Sequence, residues 1–317
     1  MESHTGHTGG GGRLAVGVDV GGTKILAGVV AEDGTIVRSN ERSTPDGTEE
    51  ALVRTLEQVV SSVVDPEVAA IGIGVPSRVD QRAGRAVSST NIPLDDVPLR
   101  ELMRARFGIP VGLDNDANVA AVAEWRVGAA RGTRTVVMVT LGTGVGGGLV
   151  LDGRPFRGAT GAGAEIGHMV LEHDGPPCQG TCTGRGHAEA LVSGTAATAA
   201  ARTLFGGDAD ARYLLARARD GDGPAREAVA RIGRHLGSLL ASLANLLEPE
   251  VIVIGGGFGS EWDELEAPAR EVFGREALVP MRDTVRLVPA ALGTDAGLVG
   301  AALVGLEAAD APDGVLR

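Results

Sequence analysis

Three groups of residues have the types and spacing for chemistry. The first is an acidic turn, "LDNDANVAA", which packs Asp114, Asn115, Asp116 and Asn118 into five positions. Such residues cap helix starts, but a carboxylate near phosphate-binding loops can also take a proton from a substrate hydroxyl. Asp116 is assigned that role. The second group is a set of glycine loops. "DVGGTK" supplies Asp19, Gly21, Gly22, Thr23 and Lys24 at the end of an apolar run. The glycines let backbone amides face a phosphate without Cβ obstruction. Thr23 adds a hydroxyl donor, and Asp19 suits Mg2+, directly or through water. "LGTGVGGG" over 141–148 supplies Gly142, Thr143 and Gly144, and "GGGFG" supplies Gly255, Gly256 and Gly257 after another apolar run. Phosphoryl transfer asks for positioning, charge neutralisation and a base, and these two groups offer all three. The third group is the chain's two cysteines, Cys178 and Cys182, which stand between His168 and His187. C-x3-C is not the redox motif C-x-x-C, and a disulfide is disfavoured in a cytoplasmic chain. A metal site and a pair of unrelated thiols both remain open at this point.

The elements that must position these groups come in two echoing halves. "RLAVGVDVGGTKILAGVV" over 13–30 and "RTVVMVTLGTGVGGGLV" over 134–150 each read as strand, Gly/Thr turn, strand, followed by a second turn at "AEDGT" or "LDGRP". A third strand is predicted over Ile36–Arg42, a helix over Glu49–Val64 and a buried strand over 68–76. Residues 109–132 read as a strand, the acidic turn and a helix, with Gly128 or Gly132 as its stop. Further on come a helix over Glu227–Leu247, a strand entering a glycine turn over 250–260, a strand over 284–292 and a helix over Asp295–Glu307. Alternating strands and helices predict an α/β fold. The spacing of Gly142, Gly144 and Gly147 matches a dinucleotide fingerprint, but that motif needs a helix next. "LVLDG" reads instead as strand and turn, and the absence of G-K-[ST] excludes a Walker A loop. Two phosphate loops, one from each half, suit a nucleotide in a cleft between domains.

Composition narrows the class. The chain has 317 residues, 43% of them hydrophobic and 22% charged, with a formal charge of −12 and no basic patch, so nucleic acid is not an expected partner. No apolar run reaches the ~18 residues a membrane helix needs. "MESHTGHTGGGGR" has no signal-peptide pattern. A cytoplasmic protein is expected, with residues 1–12 as a disordered tail.

DxGGTK, NDAN, GTGxGGG and ExGH, in this order and spacing, resemble the ROK family (repressors, open reading frames and sugar kinases) over roughly 13–308, and among its kinases the bacterial ATP-dependent glucokinases. The resemblance implies an actin-like, hexokinase-type fold: two ribonuclease-H-like domains around a cleft. The domains are expected over 13–117, with helix 295–308 folding back onto it, and over 118–294. It implies phosphorylation of the 6-hydroxyl of glucose by ATP with Mg2+, with N-acetylmannosamine, N-acetylglucosamine, fructose or allose as alternative acceptors and polyphosphate as an alternative donor. The segment Pro76–Arg78 and Asn91 are where the choice of sugar is expected to be made. By the resemblance Asp116 is the base, and Asn91, Asn115, Glu165, His168 and Glu189 contact the sugar. Thr23 and the loops at 142–144 and 255–257 contact ATP. The family's zinc loop starts at the histidine of ExGH and continues C-x-C-G-x-x-G-C-x-E. Here it departs to C-x3-C-x4-H, giving His168, Cys178, Cys182 and His187 as a Cys2His2 zinc set, with His173 competing for the place of His187. A sugar-responsive regulator, the family's other class, carries a DNA-binding helical domain ahead of the first strand; only residues 1–12 stand there, so a kinase is expected. A homo-oligomer, dimer or tetramer, is expected on the same resemblance.

Overall fold

The computed structural model describes residues 12–89, 92–311 and 315–316. Apart from Gly12 the expected N-terminal tail lies outside these residues, and so does Asn91.

Two five-stranded sheets repeat one plan. In the first half β1 (Leu14–Val20), β2 (Lys24–Ala31) and β3 (Ile36–Ser43) form an antiparallel meander. After α1 (Glu49–Ser61) come β4 (Val68–Val75), three short strands β5 (Arg78–Asp80), β6 (Arg85–Ser88) and β7 (Asp95–Val97), then α2 (Leu99–Phe107), β8 (Val111–Asn115) and α3 (Asp116–Arg126). The sheet order is β3-β2-β1-β4-β8, with β4 parallel to both β1 and β8. In the second half β9 (Val136–Leu141), β10 (Val145–Leu151) and β11 (Arg154–Phe156) repeat the meander. A long loop leads to four helices: α4 (Ala188–Val192), α5 (Gly194–Phe205), α6 (Ala211–Arg219) and α7 (Gly223–Leu247). β12 (Val251–Gly255), α8 (Trp262–Glu276), α9 (Met281–Thr284), β13 (Arg286–Pro289) and α10 (Ala296–Asp310) complete the chain. This sheet runs β11-β10-β9-β12-β13, the same order of roles.

Local chemistry explains the elements. β4 and β12 read "VAAIGIGV" and "VIVIG" and are buried almost throughout, as parallel strands covered on both faces must be. β3 is an exposed, polar edge strand. Thr48 caps α1 by accepting from the Ala51 amide, and Leu52, Leu56, Val59 and Val60 form its buried face. α3 ends on Val127, immediately before the first of its two expected glycine stops. The helices α2, α5, α6 and α8 and the small sheet β5-β6-β7 go beyond the elements predicted from sequence.

A row of glycines seats α10. Gly28, Gly17, Gly72 and Gly112 are aligned across β2, β1, β4 and β8 by the strand register. A Cβ on Gly17, Gly72 or Gly112 would come within 2.1, 1.7 or 2.5 Å of the carbonyl oxygens of Leu298, Ala301 and Val304. The helix backbone therefore lies directly on the first sheet. Gly300 on the helix's other side admits the Val119 carbonyl of α3, where a Cβ would meet it at 1.8 Å. α3 in turn lies on β9 and β10, with Gly148 facing the Ala117 carbonyl. One apolar cluster thus runs from Ala15 and Ala70 of the first sheet through α10 and α3 to Val136, Met138 and Val253 of the second. α3 starts at the end of a first-sheet strand and packs on the second sheet, so its N-terminus stands between the two halves.

Candidate active site

The cleft between the sheets is a cavity of about 770 Å3. Asp116, the first residue of α3, forms part of its wall. Asn115 builds the helix start: its side-chain oxygen accepts from the amides of Ala117 (2.9 Å) and Asn118 (3.4 Å). Asp114 points the other way and is buried. Its Oδ1 accepts from the Asn115 amide at 2.8 Å and Asn118 Nδ2 at 2.9 Å, and its Oδ2 pairs with Arg157 Nε at 2.6 Å. Arg157 in turn grips both oxygens of Glu307 on α10 at 3.1 Å. The three polar residues of "DND" are thereby separated: Asp114 anchors the turn, Asn115 caps the helix, and Asp116 is left facing the cleft.

Electrostatics set Asp116 further apart. Asp116 is exposed to the open cleft. Burial is the largest influence and pushes the carboxyl up to about 6; the Ala117 amide opposes this, and the charges of Asp19 and Glu165 add to it. Asp19 is also raised, chiefly by burial, with Lys24 pulling it down. A carboxylate shifted toward neutrality is matched to proton transfer near physiological pH.

The glycine loops meet here from both halves. Asp19, Gly21 and Gly22 line the cleft from the β1–β2 turn, and Gly142, Thr143 and Gly144 line it from the β9–β10 turn. Gly256 joins them with φ +84°, a conformation that favours glycine; a Cβ there would meet the Leu141 carbonyl at 2.4 Å. Gly255 is enclosed against Met138 and Ala290, Gly257 has open space beside it, and neither borders the cavity. Thr23 and Lys24 are exposed and do not border the cavity, and Lys24 pairs with Glu41 at 3.2 Å.

Glu165, His168 and Glu189 line the same cleft. Glu189 Oε2 accepts from the Val145 amide at 3.0 Å and occupies the space a Cβ on Gly144 would need. This one carboxylate ties α4 to the second glycine loop. Ligand atoms of His168, Cys178, Cys182 and His187 all lie within 4.8 Å of one another. The Nδ1 atoms of the two histidines are 3.3 Å apart, Cys178 Sγ is 3.7 Å from His168 Nδ1, and Cys182 Sγ is 3.6 Å from His187 Nδ1. Zinc bond lengths at tetrahedral angles give N···N edges of about 3.3 Å and N···S edges of about 3.5 Å, close to these three separations. Burial, with Cys182 and Glu189 nearby, pushes the Cys178 thiol up to about 11, so a thiolate here calls for a cation. His173 stands outside the cluster, exposed beside Asp174.

The cleft also contains residues that sequence reasoning did not assign to the site: Ser77, Ser88, Ser89, Thr140 and the Arg78 side chain. The serines come from the short strands β5 and β6 and their flanks, which carry too few residues for a periodic signal. Ser77 and Arg78 lie in the segment Pro76–Arg78, where the choice of sugar is expected, but the sequence predicts no particular contact for either.

The family model described as ROK family matches residues 15–307. The glucokinase of Streptomyces coelicolor is 36% identical over 308 residues, covering 91% of this chain and 96% of that protein. Among solved structures, a ROK family glucokinase from Streptomyces griseus in complex with glucose and AMPPNP is similar with a TM-score of 0.80 and 34% identity, over 92% of this chain and 99% of that one. The ROK hexokinase from Thermus thermophilus has a TM-score of 0.79 and 36% identity, over 92% and 98%. The paired sheets are accordingly those of the actin-like, hexokinase-type fold.

Proposed function

This chain belongs to the ROK family, and from that premise we propose that it transfers the γ-phosphoryl group of ATP to the 6-hydroxyl of glucose. The observation that carries the reading is the place of Asp116. It faces a cleft bordered by glycine turns from both halves and by Glu165, His168 and Glu189, with a carboxyl tuned to about 6. The likeness to a glucokinase solved with glucose and AMPPNP supports the choice of both substrates.

In this reading residues 13–117 with the C-terminal helix, and residues 118–294, are the two domains that close on the substrates. The turns at Gly21–Gly22 and Gly142–Gly144 present amides to the triphosphate. Asp19 holds Mg2+, which when bound supplies charge neutralisation. Asn115, Glu165, His168 and Glu189 accept and donate hydrogen bonds at the sugar hydroxyls. Asp116 withdraws the proton of the 6-hydroxyl as its oxygen attacks the γ-phosphorus in line with the departing ADP. Closure of the cleft excludes water as a competing acceptor.

Zinc at His168, Cys178, Cys182 and His187 serves as a structural ion. With Nδ1 turned to the other three donors, His168 keeps Nε2 for the sugar, and a bound zinc would fix its ring orientation and tautomer. On the family resemblance alone the reading extends to a cytoplasmic homo-oligomer. Among the described residues no helix is long and apolar enough to cross a membrane.

A panel of hexoses with Mg·ATP, coupled to ADP release, tests the proposal. Glucose should give the highest kcat/KM. A different preferred hexose would replace glucose as the acceptor, and no ADP release with any hexose would overturn the kinase reading.

A further inference from the structure

One charge in the cleft has no role in the scheme above. Among the described residues that line the cavity, Arg78 is the one lysine or arginine, set among the carboxylates of Asp19, Asp116, Glu165 and Glu189. Its side chain is exposed, and among the described residues its guanidinium has no ion-pair partner. Its backbone, by contrast, is held firmly. Arg78 pairs with Ser88 across β5 and β6. The buried Ser77 hydroxyl lies 2.9 Å from the Arg78 carbonyl and 2.8 Å from the Ser88 carbonyl, and it accepts from the Ser88 amide at 3.3 Å. Asn115 Nδ2 donates to the Ser77 carbonyl at 3.4 Å, joining this segment to the turn that carries Asp116.

The position of Arg78 along the cleft separates two possible roles. Besides the main cavity, Arg78 lines an inner recess of about 50 Å3 together with Asn115, Asp116 and Glu165. None of the glycine-turn residues 21–22, 142–144 or 256 borders that recess. Arg78 therefore reaches from the main cavity into the recess beside the base and Glu165, on the acceptor side of the cleft.

We propose that Arg78 determines acceptor specificity, its guanidinium donating hydrogen bonds to hydroxyl oxygens of a neutral hexose and repelling an acceptor that carries an ammonium group. This deepens the kinase reading and rests on it. The chemistry is complementary: carboxylates only accept and a guanidinium only donates. A hydroxyl held between the two has its proton direction fixed. The four carboxylates alone would concentrate a cationic sugar in the cleft, and Arg78 opposes that field.

The test compares wild type, Arg78→Ala and Arg78→Lys with Mg·ATP and either glucose or glucosamine, at a pH where the amine is protonated, alongside calorimetric glucose binding. Loss of one charged hydrogen bond should raise the glucose KM and Kd of Arg78→Ala about tenfold or more, with kcat within about threefold. The kcat/KM ratio should shift toward glucosamine, and Arg78→Lys should recover part of both effects. Unchanged glucose affinity and an unchanged sugar ratio would overturn the proposal. So would a fall in kcat at constant KM, which would place Arg78 on the transferring phosphoryl group. Wild type that binds glucose without turning it over would overturn the kinase reading while the Kd comparison still judges Arg78; wild type that binds no hexose would overturn both.

Discussion

At the scale of single residues, one turn shows how three adjacent polar side chains acquire different jobs. Asp114 disappears into an ion-paired network with Arg157 and Glu307, Asn115 caps α3, and Asp116 keeps its carboxylate in the cleft. Sequence reasoning picked Asp116 out of this cluster, but it had no means of seeing what Asp114 does. The partners of Asp114 lie 43 residues away and, through Arg157, a further 150, with no periodicity to mark them. The environment of Asp116 makes a specific statement about pH. A base works only when ionised, and a carboxyl raised to about 6 is half protonated there. Its ionised fraction grows as pH rises, so kcat/KM for glucose should climb through a midpoint near pH 6 and fall about tenfold per unit below it. A pH series of kcat/KM checks this. A profile flat from pH 5 to 8 would mean that an ordinary carboxylate, with a midpoint near 4, or no base at all, limits the reaction.

At the scale of elements, the loop between β11 and α4 illustrates a segment held by side chains rather than by a core. Its regular structure amounts to the short turn Ile166–His168 and two isolated bridges, Val170 with His187 and Pro177 with Arg185. Gln179 anchors it to α4 and α5 through the Glu189 carbonyl and the Ser193 hydroxyl. The four donors His168, Cys178, Cys182 and His187 converge in the middle of it. Because His168 is itself a donor and Glu189 follows the last donor by two residues, the metal should matter to sugar binding more than to nucleotide binding. Purified protein should contain about one zinc per chain by elemental analysis. Chelation, or Cys178→Ser, should weaken glucose affinity about tenfold or more while changing the affinity for a non-hydrolysable ATP analogue less than threefold. Full glucose affinity in demonstrably metal-free protein would contradict the structural role. Two cysteines in a chain this long stand out, but the sequence alone leaves a metal site and unrelated thiols open; the four-donor set comes from the family resemblance. That pattern favours His187 over His173, and the bridge to Val170 brings residue 187 back beside the loop's start while His173 stays outside the cluster.

At the scale of the whole molecule, the repeated meander was readable because each copy is local: strand, glycine turn, strand within about twenty residues. What joins the copies was not. The glycine row of β2, β1, β4 and β8 exists only once the strands are in register, and no stretch of sequence shows that Gly17, Gly72 and Gly112 line up beneath α10. The helices α5, α6 and α8 were missed for a related reason. They pack chiefly against α7 and one another, so their apolar faces are set by helix neighbours rather than by a strong strand-helix alternation. The consequence of the assembled plan is that α3 and α10 lie between the sheets and carry the base to the meeting point of both halves. The central question is whether that carboxylate acts on an acceptor held in the same cleft. The most direct measurement is Asp116→Asn, assayed for turnover with Mg·ATP and glucose beside glucose affinity by calorimetry on the same preparation. The account predicts that turnover falls at least a thousandfold, toward the upper end of what a general base contributes, while glucose still binds within about threefold of wild type. Turnover retained near the wild-type rate would contradict it.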